Sequence, residues 1–231
     1  NVSAKTISHE PEEAIFYPDT DGKPMAESDF QRNPLVYCVE ALKEQFSTDP
    51  DVYVSGNLLI YYEQGNPLKS VAPDVFVVFG VPGYDRSSYK IWEEGKFPDA
   101  VIKIISKSTW KKDPDNVSLY RRLGVKEYFL FDPTGRYIDP ALRGYRLDKR
   151  GTYRQIRVVN LPGGILKSGS LRLGLELRVE SGRLRLYDPK RGEYLFNLGE
   201  EKQGRLQAEA RAERAEEEIR RLREKLKALE D

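Results

Sequence analysis

Two neighbouring runs of apolar residues each carry a charged side chain that could bind a metal ion or form an ion pair. Asp74 follows Pro73 in the run 71–79, and Lys103 lies in the run 100–105. Inward carboxylates on adjacent strands are a common way to hold a divalent metal ion. Here one run supplies a carboxylate and the other supplies an ammonium group. An unpaired buried carboxylate is costly, so we expect Lys103 to reach Asp74 and form a buried ion pair.

Two further charged residues define an alternative site. Asp99 lies four residues before Lys103 and therefore falls on the same face of the strand by period-two counting, and Lys107 follows shortly after. In this alternative, a displaced magnesium ion is held by Asp74 and Asp99, with Lys107 as the catalytic lysine. The competing interpretation makes Asp99 a turn residue after a proline and Lys107 a solvated surface residue.

The composition excludes several other kinds of site. The 231 residues include 38 basic and 37 acidic side chains, and the net charge of +1 gives no overall attraction to nucleic acid or to membranes. His9 is the only histidine, which excludes a histidine-rich zinc centre. Cys38 is the only cysteine; we interpret it as a small core residue, and its lack of a disulfide partner fits a reducing cytoplasm. No apolar run approaches the ~20 residues of a membrane span, and the N-terminus lacks the apolar segment of a signal peptide.

The elements that must position these side chains form a predicted mixed α/β domain over residues 27–198. Residues 1–26 are polar, contain three prolines and predict an extended arm. Within the domain we expect a helix that begins near Ser28 or Asp29, and a long polar loop with aromatic residues over 80–97. The runs 71–79, 100–105 and 127–131 predict strands of one mixed sheet, a helix is expected over 113–123, and short alternating runs over 134–198 predict added β-hairpins.

The tail 199–231 predicts a coiled-coil helix. Its small and apolar residues alternate steps of four and three, at Ala208, Ala212, Ala215, Ile219, Leu222, Leu226 and Leu229. An isolated helix with this seam is marginal in water, so we expect residues 205–231 to bind a protein partner or a second copy. The alternative is a solvated helix that folds back on its own domain.

Several ordered motifs carry a resemblance to a known family. They are the run 70–78 with its Pro73-Asp74 pair, the stretch 90–99, the turn Ser106-Lys107-Ser108-Thr109 and the long stretch 119–133. Together they resemble the Uma-type putative restriction endonuclease family of bacteria, from about Met25 to Tyr194. The resemblance implies a restriction-endonuclease-like fold, with a mixed sheet flanked by helices and a PD-(D/E)XK type of active site.

The resemblance also implies site residues, and this chain departs from them. The first metal aspartate of the family matches Asp74, and a weaker match places a helix-borne acid at Glu27. The position of the family glutamate is occupied by Lys103, and that of the family lysine, counted back from Tyr120, is occupied by Asn116. A lysine for a glutamate changes the local charge by two units, and each unit interaction at ~4 Å is worth about 4 kcal/mol at an effective dielectric near 20.

The leading hypothesis is therefore a nuclease-fold protein that has lost metal-dependent phosphodiester cleavage and acts as a binding or assembly module, with no cofactor. The first alternative is an active magnesium-dependent DNA endonuclease with the rearranged site around Asp74 and Asp99. A second alternative is nucleic-acid binding without chemistry. In a nuclease, the loop aromatics Tyr84, Tyr89, Trp92 and Trp110 would contact the nucleic-acid backbone or bases. The competing interpretation is that they are anchored on their own domain or held in a protein interface.

Overall fold

The computed structural model describes residues 15–20, 22, 28–108, 110–196 and 198–230. The helices are α1 (Asp29–Gln45), α2 (Ile91–Glu94), α3 (Asp113–Arg122) and α4 (Leu198–Glu230). The strands are β1 (Val52–Ser55), β2 (Ile60–Tyr61), β3 (Ser70–Val71), β4 (Val75–Phe79), β5 (Tyr89–Lys90), β6 (Ala100–Ile104), β7 (Glu127–Phe131), β8 (Leu142–Leu147), β9 (Tyr153–Ile156), β10 (Val158–Leu161), β11 (Ile165–Ser170), β12 (Leu175–Glu180), β13 (Arg183–Asp188) and β14 (Glu193–Tyr194).

A six-stranded central sheet has the order β1-β4-β6-β7-β8-β9. β6 and β7 run parallel, and the other neighbours in this sheet are antiparallel. The parallel pair needs a crossover, and α3 lies in the connection between its strands. The expected mixed sheet is therefore present; Lys103 lies in the inner strand β6, and Asp74 directly precedes β4, which lies between β1 and β6.

Apolar side chains cover both faces of the central sheet, which explains why its inner strands read as continuous apolar runs. On one face, Val77 and Ile102 pack with α1 and with the inner side of the five-stranded sheet β10-β11-β12-β13-β14. On the other face, Phe76 and Val101 pack with Tyr120 of α3 and with the small sheet β3-β2-β5. Asp74 and Lys103 belong by strand alternation to the second face.

The helix α1 lies on the first face because its apolar residues recur at helical spacing. Tyr37, Cys38, Ala41 and Leu42 are buried. Cys38 is fully buried, as expected for a core residue, and burial raises the pKa of its thiol to about 12. A thiol held neutral in this way is not a nucleophile at physiological pH. Ser28 occupies the N-cap position, although its side chain makes no capping hydrogen bond.

Two expectations about local structure need correction. The sequence predicts a loop over 80–97, but this stretch contains β5 and α2. Both elements are too short for a periodic pattern of apolar residues to be recognised in the sequence. The added hairpins divide between two sheets, since β8 and β9 extend the central sheet while β10 to β14 form a separate antiparallel sheet. The packing of one sheet on another, rather than any local pattern, decides this division.

The two ends of the chain are only partly described. Most of the expected arm 1–26 lies outside the described residues, but its part near Tyr17 packs on the domain. The Tyr17 ring centroid is 5.1 Å from those of Tyr61 and Trp92, and the Tyr61 hydroxyl donates to the Pro18 carbonyl at 2.5 Å. At the other end, α4 is a single long helix. Among the described residues, no helix combines the length and the apolar character that crossing a bilayer requires.

Candidate active site

The strand register places Asp74 opposite Lys103. β4 and β6 pair with Val75 opposite Ile102, so the next position along the pair sets Asp74 level with Lys103. The Lys103 Nζ donates to Asp74 Oδ1 at 2.9 Å and lies 2.8 Å from Oδ2. The lysine side chain is 13% exposed and the aspartate side chain 8%. The ion pair expected from the sequence is therefore present and largely shielded from water.

Backbone contacts hold Asp74 in this position. The Ile104 N–H donates to Asp74 Oδ2 at 2.6 Å, and the Asn57 N–H donates to the Pro73 carbonyl at 3.0 Å. A Cβ on Gly56 would come within 2.3 Å of the Asp74 carbonyl oxygen. Only glycine permits so close an approach between the two backbones, so the segment after β1 fixes the start of β4.

Tyr120 closes the site from the side of α3. Its ring stacks on that of Tyr128 in β7, with ring centroids 4.8 Å apart. Burial raises the pKa of the Tyr120 hydroxyl, and the nearby Asp74 carboxylate raises it further. The phenol therefore stays neutral at physiological pH and contributes apolar cover rather than a base.

A magnesium ion does not fit this set of donors. Mg²⁺ requires several oxygen ligands in near-octahedral arrangement, whereas the two oxygens of Asp74 already accept hydrogen bonds from Lys103 and from the Ile104 N–H. Within the described part of the chain, no group of three or more histidine, cysteine, aspartate or glutamate residues is arranged to hold a metal. Glu27, the helix-borne acid implied by the family resemblance, lies outside the described residues.

The structure does not bring Asp99 to Asp74, although the sequence alternative placed a metal between them. Four residues of strand separate Asp99 from Lys103, about 13 Å at the rise of an extended chain. Asp99 Oδ2 accepts a hydrogen bond from the Phe79 N–H at 2.9 Å, and Oδ1 pairs with the Arg172 guanidinium. Asp99 lies just before β6 and its partner Arg172 lies between β11 and β12 of the five-stranded sheet, and the separation from Lys103 is too large for one ion to bridge.

The other two candidate residues lie at the edge of the site. Asn116 is half-buried on α3, one helical turn before Tyr120. Lys107 is exposed in the turn that follows β6. The structure thus brings together Asp74 and Lys103, places Asn116 on the helix that covers them, and leaves Lys107 on the surface.

A further buried acid, Glu127, has a role that the sequence does not predict. Its side chain is fully buried and pairs with the Arg146 Nε at 2.7 Å. It also accepts hydrogen bonds from the Ser170 hydroxyl and from the backbone N–H groups of Leu171 and Arg172. Because these partners belong to β8 and to the end of β11, Glu127 joins the central sheet to the five-stranded sheet. Nothing near Glu127 in the sequence identifies these partners.

The aromatic loop residues are anchored on their own domain. Tyr89 is fully buried and its hydroxyl donates to the Lys96 carbonyl at 2.9 Å. Arg86 lies over the rings of Tyr53 and Tyr84, at 4.2 Å and 3.9 Å, and pairs with Glu94 at 2.6 Å. These contacts favour the anchoring interpretation for most of the loop, while Tyr84 remains 60% exposed.

Comparisons with known proteins identify a family model and similar solved structures. A family model described as "Uma2: Putative restriction endonuclease" matches residues 22–180. A crystal structure described as a putative nuclease from Anabaena variabilis is 18% identical, covers 62% of this chain and 79% of its own chain, and has a TM-score of 0.41. An identity and a TM-score this low carry no detail over to this chain. No curated protein matches the sequence.

Proposed function

The chain belongs to the Uma2 family of putative restriction endonucleases, and we propose that it is a member that has lost metal-dependent phosphodiester cleavage and acts as a binding or assembly module. The match spans well over half of the chain, and the mixed α/β sheets agree with the nuclease-like fold that the sequence predicts. A fold does not by itself specify an activity, so the proposal depends on the site.

The ion pair between Lys103 and Asp74 is the observation that carries the loss of cleavage. In a metal-dependent nuclease, the ion activates water and neutralises charge on the phosphate undergoing attack. The Lys103 ammonium neutralises Asp74, but it is not a Lewis acid and cannot bind a water through its oxygen to generate a hydroxide as a metal ion does. A metal at this place would have to displace an amine held at 2.8 Å from the carboxylate.

Two other features of the structure support the same proposal. Asp99, the acid that could compensate for the missing glutamate, is engaged with Phe79 and Arg172 on another part of the sheet. Asn116 replaces the charged residue that the family provides on α3, and an amide can neither carry a proton to a leaving group nor stabilise a developing negative charge as an ammonium does.

The helix α4 supports the assembly part of the proposal. It extends over 33 residues, and every side chain described over 209–220 is exposed. The alternative of a helix folded back on its own domain is therefore not supported over this segment. Nucleic acid is the class of ligand that family membership makes worth testing alongside a protein partner.

A cleavage assay tests the loss of activity. We expect the unmodified protein to leave supercoiled and single-stranded DNA intact with excess Mg²⁺ or Mn²⁺. Its residual cleavage should equal that of the Asp74→Asn variant. The variant Lys103→Glu/Asn116→Lys returns both residue types that the family uses and serves as the gain-of-function comparison. Metal-dependent cutting by the unmodified protein that Asp74→Asn abolishes would contradict the proposal and favour the active alternative. Cutting that persists in Asp74→Asn and stays with the protein through a second purification step would also contradict the proposal, whereas cutting lost in that step comes from a contaminating nuclease.

A further inference from the structure

The helix α4 is long, and the side chains described over 209–220 are not covered by its own domain. Its 33 residues span about 50 Å at the rise of an α-helix. Near its start, Arg185 of β13 binds both Glu200 oxygens, at 3.1 Å and 3.2 Å, which attaches the helix to the five-stranded sheet. Farther along, every side chain described over 209–220 is exposed, and Ile219 is 50% exposed. An isolated helix of this kind gains little from its own packing.

The sequence gives α4 a seam suited to a second helix. With Ile219 at heptad position a, the leucines at 222 and 229 fall at position d and Leu226 falls at the next a. A β-branched residue at a with leucine at d favours two-stranded coiled coils. The preceding seam positions are alanines, which allow close approach but contribute little burial.

The charges beside the seam discriminate between possible partners. In a parallel, in-register pair of identical helices, each g position meets the e position five residues later on the other helix. The g residues are Arg211, Glu218 and Lys225, and the e residues that meet them are Glu216, Arg223 and Glu230. All three pairs, each occurring twice in a dimer, join opposite charges.

An antiparallel pair of the same helices is less complementary. When Ile219 faces Leu222 of the other helix, Glu209 meets Glu230. When Ile219 faces Leu229, Lys225 meets Lys225 and Arg223 meets Arg223. Like charges at these positions are destabilising.

We infer that the partner of α4 is α4 of a second copy of this chain, wound parallel and in register. This inference rests on the assembly role proposed above and specifies its partner. The dimer covers the apolar seam, pairs every charged g residue with an opposite charge, and places two nuclease-fold domains at the same end of the coiled coil.

Sedimentation of the 231-residue chain over a range of concentrations tests the charge pairing. Glu218→Arg turns two attractive pairs per dimer into repulsive ones and is expected to weaken dimerisation roughly tenfold. Glu217→Arg makes the same charge change at position f, outside the seam, and is expected to leave the dissociation constant unchanged. Glu218→Arg/Arg223→Glu restores opposite charges only in the parallel arrangement, and is expected to regain the unmodified affinity.

A cysteine crosslink tests the register. Ala215 lies at position d, so Ala215→Cys is expected to form an interchain disulfide under mild oxidation. The native Cys38 is buried and should not compete. A chain that stays monomeric at all concentrations overturns the inference. So does a dimer that does not form this crosslink, or one that Glu218→Arg/Arg223→Glu weakens more than Glu218→Arg alone. These readouts are independent of DNA cleavage, so a failure here is distinguishable from a failure of the proposed loss of activity.

Discussion

Replacing Lys103 with methionine is expected to lower the free energy of unfolding by about 3 kcal/mol. The substitution removes the cation but leaves the Asp74 carboxylate, whose side chain is 8% exposed, without the charge that lies 2.8 Å away. Removal of one partner from a buried ion pair leaves an uncompensated charge, which costs more than the pair contributes. Urea unfolding followed by tryptophan fluorescence measures the change.

Two control variants separate this effect from a loss of packing. The double variant Asp74→Asn/Lys103→Met removes both charges. The amide oxygen of the new asparagine can still accept a hydrogen bond from the Ile104 N–H, so we expect the double variant to recover most of the lost stability. Lys107→Met makes the same lysine-to-methionine change at an exposed position and should have little effect. If the double variant is as unstable as Lys103→Met, the cost does not come from an unpaired Asp74 and the account of the pair is wrong.

Glu127→Ala is expected to destabilise the protein by at least about 3 kcal/mol. The substitution removes a fully buried carboxylate and takes the Glu127 acceptor away from several donors: the Arg146 Nε, the Ser170 hydroxyl and the backbone N–H groups of Leu171 and Arg172. Because these groups join the two large sheets, hydrogen exchange at Leu171 and Arg172 should rise together with the loss of global stability.

Glu127→Gln provides the comparison that isolates the acceptor role. The amide keeps one oxygen acceptor and nearly the same volume, so its loss should be smaller than that of the alanine variant. Glu193→Ala removes an exposed glutamate from β14 and should change stability little. Equal stability of Glu127→Ala and Glu193→Ala would show that the Glu127 network does not join the sheets energetically.

The pairing of Asp74 with Lys103 could be predicted because the family resemblance aligns both residues with metal-binding positions, and the pattern around them supports that alignment. Both residues lie in short apolar runs that read as neighbouring strands, and a period of two fixes the face on which each side chain lies. A buried carboxylate also requires a partner, and the facing lysine was the nearest cation. The helices α1 and α3 were predictable for a similar reason, since their apolar residues recur at helical spacing.

The parts that could not be predicted depend on residues distant in the sequence. Asp99 was a candidate metal ligand by strand parity, but its position is decided by Arg172, 73 residues away. Glu127 appears as one charged residue at the start of an apolar strand, and its partners Ser170 and Leu171 lie 43 and 44 residues away. The division of the hairpins between two sheets likewise follows from sheet packing, which leaves no local signal in the chain.

Titration with Mn²⁺, followed through the electron paramagnetic resonance of the free ion, tests most directly whether an amine has taken the place of the metal. We predict that the unmodified protein and Asp74→Asn bind the ion equally weakly. Lys103→Glu is expected to gain one Mn²⁺ site, because two facing carboxylates can share a hard cation. Adding Asp74→Asn to Lys103→Glu is expected to remove that site. One Mn²⁺ site in the unmodified protein that Asp74→Asn abolishes would contradict the account.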